Sequence, residues 1–304
     1  MHFGRNSWMH RAIVASAIGW GFDVASLQQA CAQHAPEAPA SIAYAGDSVR
    51  LVHYPSEMRR RLARILKGEW EEGGMFTIAA DGRVGNAGTP PQEAPDAFGR
   101  IQAYWSIFNS MANYVDFNRR LRADGMVRGT DAKAYCAGYN QGNDSDAHIW
   151  GCIPWSAAFV SWVFQTTGVL QREFPRGTAH REYVDALLTI FLNRRDSALF
   201  IPQNNGTYEP IAGDLICSDR SRSVLERLRS FEARIAETQM GKGSDRPMHC
   251  DIVSDVADSE VRAIGGNVSD RVAKTAYLVD GSGRLKGHES DVFVIFQNRT
   301  GIEP

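Results

Sequence analysis

Ser156, His249 and Asn267 are three residues whose types and settings could together break an acyl bond. Ser156 lies in "GCIPWSAAFVSWVF" (151–164), a turn running into an apolar helix. The first turn of a helix has N–H groups without intrahelical partners and a partial positive charge, so it stabilises an attacking anion or an oxyanion. A cysteine there would need little more than a neighbouring histidine to become a thiolate. A serine needs more. The helix dipole contributes at most about 2 kcal/mol, roughly one and a half pKa units, so the hydroxyl must pass its proton to a base as it attacks.

His249 opens "HCDIVSDV" (249–256) and is the candidate base. Side chains alternate along a strand, so His249, Asp251 and Val253 share one face. A catalytic histidine needs a third group to fix its tautomer. Asn267, in "AIGGNVSD", would return beside His249 across a hairpin; Asp251 is the competing orienter. Plainer readings stand beside these: Ser156 as a helix cap, His249 as a satisfied histidine, Asn267 as a turn residue after two glycines. Cys152 is a displaced nucleophile candidate, but it lies four residues before Ser156, ahead of the Pro-Trp helix start.

The elements that must position these residues fall into two textures. Helical spacing marks 55–72 (Met58, Leu62, Ile65, Leu66, Trp70), 98–121, a helix from Pro154 or Trp155 to Thr167 with Gly168 as C-cap, and 183–193. Afterwards come short β-branched runs at 213–218, 249–256, 261–266, 274–280 and 291–298, with "DGSG" (280–283) as a hairpin turn. Helices followed by strands predict an α+β domain and not a doubly wound one. Dinucleotide and P-loop fingerprints are absent.

That order resembles the papain-like cell-wall hydrolases of the NlpC and CHAP type. "PWSAAFVSWVFQTTG" is similar to the CHAP-like pattern Pro-Trp-Cys-Ala-Ala-Phe-Val-Ser-Trp, "AGDLIC" to a Gly-Asp-hydrophobic strand, "MHCDIVSDV" to the histidine strand and "IGGNVSD" to a Glu-Gly-Asn segment. The likeness covers about 150–285. A closer resemblance, to an uncharacterised bacterial family (domain of unknown function 2272), rests on Pro-Trp-Ser-Ala-Ala-Phe, His-x-x-Tyr at His180 and Tyr183, "GDLIC", "HCDIV", "IGGNV", "RILKGEW" and "RIQAYW". The resemblance implies a papain-like core, with the nucleophile-position helix packed on a small antiparallel sheet and an N-terminal helical extension. It puts Ser156 where the catalytic cysteine belongs and a glycine at the glutamate. It also implies that Trp155, His180 and Tyr183 line or orient the cleft. Cys250 faces away from His249 along its strand and could lie near Cys217 on the adjacent "GDLIC" strand.

The remaining composition bounds the alternatives. With 33 basic and 35 acidic residues and a net charge of −2, the chain has no general attraction for nucleic acid. The cluster Arg59-Arg60-Arg61 reads as a solvated helix face. No C-x-x-C pair or Cys/His cluster has metal spacing, so neither metal nor cofactor is expected. No apolar run reaches the roughly 20 residues of a membrane span. Residues 1–32 have the layout of a signal peptide: Arg5 and Arg11, an apolar run from Ala12 to Phe22, and a small-x-small site at Ala30-Cys31-Ala32. Export to the periplasm or the exterior is the expectation, with an ordinary N-terminal helix and a cytoplasmic protein as the alternative. Loss of Cys31 would leave Cys136, Cys152, Cys217 and Cys250 as two disulfides or as buried thiols. Residues 33–50 read as a linker and 51–304 as one domain, helical over 51–195 and sheet-forming over 210–300.

The expected function is hydrolysis of an amide in peptidoglycan or a related cell-wall peptide, with Ser156 as nucleophile, His249 as base and Asn267 as orienter. Two alternatives remain: a binding module for cell-wall peptides or a protein partner, and a serine esterase or acyltransferase.

Overall fold

The computed structural model describes residues 57–86, 98–108, 154–286 and 291–301. The chain divides into units Met1–Arg50 and Leu51–Pro304, and every described residue belongs to the second. The segments read as a signal peptide and a linker, with Cys31, Cys136 and Cys152, lie outside the described residues.

The pattern Leu62, Leu66, Trp70 winds into α1 (Glu57–Glu72), with Leu62 and Leu66 fully buried. A β-hairpin follows, β1 (Phe76–Ile78) and β2 (Val84–Asn86), and then α2 (Phe98–Trp105). The run read as helical over 98–121 thus stops being helical after Trp105 within its described part. The helix α3 (Ser156–Thr167) is apolar nearly all round. Ala157, Ala158, Phe159, Val160, Val163 and Phe164 are buried, as expected of a helix covered on every side. It packs on α1 and α2 and on two strands of the sheet. Gly168 ends it at φ 106, a left-handed conformation that costs glycine nothing, and Val169 N reaches back to Phe164 O at 3.0 Å. The next helix, α4 (His180–Asn193), begins three residues before the expected start.

The remaining elements are β3 (Phe200–Gln203), β4 (Leu215–Asp219), α5 (Phe231–Gln239), β5 (Met248–Val256), β6 (Glu260–Val268), β7 (Arg271–Leu278) and β8 (Val292–Asn298). The class is α+β, as expected, but the sheet is not small. Among the described residues it has eight strands in the order β2-β1-β7-β6-β5-β4-β8-β3, antiparallel throughout except for β1 beside β7. Three strands fall outside the expected sheet-forming stretch. β1 and β2 are only three residues each, too short for a period to show. Pro202 sits in β3, and that strand lies at the sheet edge, where a missing N–H is tolerated.

One face of the sheet (Leu215, Cys250, Ile252, Ile264, Val272, Phe296) meets the helices, and the other carries a second apolar cluster with Ile216, Val253, Val261, Ala263 and Ile295. Cys217 and Cys250, opposite each other on β4 and β5, form a disulfide. No helix among the described residues is long and apolar enough to cross a membrane.

Asp214, the acid of "GDL", ties the sheet's far edge together. It accepts hydrogen bonds from Ile211 N, Asn298 N and the Tyr208 hydroxyl, each at 2.9 Å. Burial pushes its carboxyl up to about 6 despite these donors and the nearby Arg59. A carboxyl raised on folding adds stability that is complete below its unfolded value and lost as pH rises through about 6; two units correspond to roughly 3 kcal/mol. Asp214→Asn is expected to flatten the pH dependence of the urea midpoint between pH 4 and 7 relative to wild type.

Candidate functional site

Three layers of contacts fix the start of α3. Trp155 is its N-cap residue, fully buried, with φ −105, ψ 7 and no side-chain capping bond. Its ring stacks on Tyr104 at 5.6 Å between centroids and meets Phe159 at 6.5 Å. Glu69 of α1 in turn accepts from the Tyr104 hydroxyl and, at 2.8 Å each, from Nε and Nη2 of Arg100. The residue before Ser156 is therefore clamped by α1 and α2 together. Ser156 is the first helical residue, and its hydroxyl does not cap the helix. Its Oγ lies 2.7 Å from Nε2 of His180.

His180 arrives there because the preceding loop is tied to α3. The buried Ser161 hydroxyl donates to Gly177 O and accepts from Gly177 N, both at 3.1 Å. A Cβ at Gly177 would lie 2.9 Å from Ala179 O, which keeps that position glycine. Alanine at the N-cap of α4 cannot cap with its side chain. Glu182 supplies the acceptor instead, taking Thr178 N at 2.7 Å and Ala179 N at 3.4 Å. His180 and Tyr183, three apart on one helix face, then meet: Nδ1 is hydrogen-bonded to the Tyr183 hydroxyl.

Proton positions in this chain follow from satisfaction. Burial pushes His180 well below the ordinary histidine value, helped by the neighbouring His249, so its ring is neutral. Burial pushes the Tyr183 phenol well up, so it keeps its proton. Among the described residues Nδ1 of His180 is that phenol's hydrogen-bonding partner. A buried hydroxyl left without an acceptor costs about 1–3 kcal/mol, so Tyr183 donates to Nδ1 and Nε2–H of His180 donates to Ser156 Oγ. The proton of Ser156 itself therefore points elsewhere.

His249 stands next to this chain, its ring 5.0 Å from that of His180 in an edge-to-face arrangement. Asp251 Oδ1 accepts from His249 Nε2 at 2.8 Å, and Oδ2 accepts from the Tyr277 hydroxyl at 2.7 Å. With Nε2 engaged by Asp251, Nδ1 is the ring nitrogen of His249 that faces away from that carboxylate, on a side chain 13% exposed. Burial alone would raise the Asp251 carboxyl. The charge and hydrogen bond of His249 and the donor from Tyr277 outweigh it and hold Asp251 below the usual carboxylate value.

The structure thus gathers Trp155, Ser156, His180, Tyr183, His249 and Asp251 at the starts of α3, α4 and β5. The His249 ring is bonded to Asp251, and Ser156 to His180 and not to His249. Asn267 sits where the β6–β7 pairing shifts register, at φ 56, a left-handed conformation that asparagine tolerates. A Cβ at Gly265 would lie 1.7 Å from Asp251 Oδ1 and 3.1 Å from His249 Nε2, so only glycine leaves room for this pair. Gly266 meets the other side, where a Cβ would press on Phe159 and Trp155 at 2.6 and 2.7 Å. Tyr277 and the requirement at Gly265 were not read from sequence, because both depend on strand register. Among the described residues no group of His, Cys, Asp and Glu could hold a metal ion.

Residues 97–299 match the profile of a family described as uncharacterised proteins conserved in bacteria, DUF2272. No curated protein and no solved structure matches the chain.

Gly265→Ala is expected to separate His249 from Asp251. It should lower stability by about 2–3 kcal/mol in denaturant unfolding and shift the imidazole 15N resonances of His249.

Proposed function

The chain belongs to the DUF2272 family of bacterial proteins, and we propose that it is a hydrolase that cleaves an amide bond of peptidoglycan or a related cell-wall peptide through Ser156. The observation that carries this reading is the seat of Ser156. Its hydroxyl lies at the start of a buried helix, accepts a hydrogen bond from His180, and has a carboxylate-oriented histidine one ring away.

In the proposed reaction Ser156 Oγ attacks the amide carbon while its proton passes to Nδ1 of His249. Negative charge that develops on the carbonyl oxygen faces the unpaired N–H groups of the first turn of α3. The ionised Asp251 stabilises the imidazolium and holds Nε2–H in place. His249 then returns the proton to the leaving amine nitrogen as the carbon–nitrogen bond breaks. Water, activated by the same nitrogen, cleaves the resulting ester and regenerates Ser156. His180 holds Oγ in position and stays neutral throughout. Asp251 takes the orienting role here, because its oxygen is bonded to the ring; Asn267 supplies the bend at the end of β6.

The placement of a nucleophile-bearing helix against β5 and β6 supports a papain-like arrangement of the core. Export is part of the proposal, and the Cys217–Cys250 disulfide supports it, since such bonds persist in oxidising compartments.

Purified peptidoglycan incubated with wild type is expected to release soluble fragments. Ser156→Ala and His249→Ala should each lower that rate by about a thousand-fold or more, in the range seen when triad members are removed. His180→Ala should lower it less, by about ten- to a hundred-fold. Equal release by wild type and both null variants would sink the mechanism, and a binding cleft without catalysis would give no release from any of them.

A further inference from the structure

On the sheet face turned away from the helices, a cavity of about 330 Å³ abuts the base–carboxylate pair. Asp251 and Tyr277 form part of its wall, and its other polar lining includes Ser218, Arg220, Thr275 and Lys286. Arg220 follows β4 directly, and Ser218 pairs across the ladder with His249, so these two lining residues lie on the strand beside the one that carries the base.

The charges around the cavity are unevenly satisfied. Its two acids are occupied: Asp291 is ion-paired with Arg227, and Asp251 is bonded to His249 and Tyr277. Arg246, near Arg220, is taken up by Asp219 and Glu237. Arg220 and Lys286 are exposed, and among the described residues neither side chain has a carboxylate partner. The charge of Arg220 nonetheless reaches the site, acting to lower both His180 and Asp251. Two unpaired cations with two hydroxyls at a concave wall suit a carboxylate, which accepts the planar fork of an arginine and a second, point-like donor.

We propose that Arg220 and Lys286, with the hydroxyls of Ser218 and Thr275, form a subsite that receives a free carboxylate of the peptide substrate beside the Asp251 carboxylate that orients His249. The inference rests on the peptide-cleaving reading and narrows it to peptides that carry a free carboxylate near the cleaved bond. Such a subsite selects acid over amide without any part in the proton transfers.

The test uses the full-length Ser156→Ala protein, so that binding is measured without turnover, titrated by NMR with acetyl-alanyl-alanine and with its C-terminal amide. The free acid is expected to bind about ten-fold more tightly, a factor that corresponds to 1.4 kcal/mol. The preference should vanish with Arg220→Gln and Lys286→Gln combined, and survive in part in Arg220→Lys. Both positions are exposed, and circular dichroism of each variant verifies the fold. Equal affinity for acid and amide, a preference that outlasts the double substitution, or no binding of either peptide would overturn the subsite. A preference for the acid in a protein that releases nothing from peptidoglycan would instead sink the hydrolase reading and leave the subsite standing.

Discussion

The hydrogen bond between Ser156 Oγ and His180 Nε2 is the contact around which the described residues are arranged. It joins the first residues of two helices, and each of those starts is fixed by something else. Trp155 is held through Tyr104 and Glu69, and the loop into His180 is held through Ser161 and Gly177. Neither helix caps itself with the side chain at its N-cap, so no capping bond draws on the serine hydroxyl or the histidine ring. Tyr183 then decides which nitrogen carries the proton. A buried phenol with one acceptor settles the tautomer more firmly than an exposed one could, because the unmet alternative has no water to turn to.

A second, separate constraint governs His249. The ring and the carboxylate that orients it are two residues apart on one strand, so the pleat alone puts them on one face. Contact between them needs space on the neighbouring strand, and Gly265 provides it. Disposing of the side chain at that position leaves Asp251 buried and bonded to the partly exposed His249. Gly265 is thus part of the geometry of the pair.

Much of this was legible in the sequence, and what was not has identifiable causes. The apolar run after Trp155 with Gly168 behind it marks α3, and the β-branched runs mark β4 to β8, because burial on both faces leaves a continuous signal. The three-residue strands β1 and β2 carry too few residues for a pattern, and Pro202 argues against a strand except at an edge. The candidate residues were readable as types on elements, but their partners were not. Whether Asn267 or Asp251 meets His249 depends on the shift in pairing between β6 and β7, and the approach of His180 to Ser156 depends on the path of a twelve-residue connection between α3 and α4 that has no period at all.

The disulfide has a further bearing on motion. It closes a loop with a sequence separation of 33, which in the chain-entropy picture restricts the unfolded ensemble by roughly 3–4 kcal/mol. Within the folded sheet it spans strands that the backbone ladder already joins, one residue from Ser218 on one side and one from His249 on the other. The segment between them, with α5 and the fully exposed Leu225, is an excursion hung from a riveted base. The segment is tied down elsewhere too, through Arg234 on Asp185 of α4 and Arg227 on Asp291, so the disulfide holds Ser218 and His249 at a fixed spacing within a fold that anchors the whole excursion.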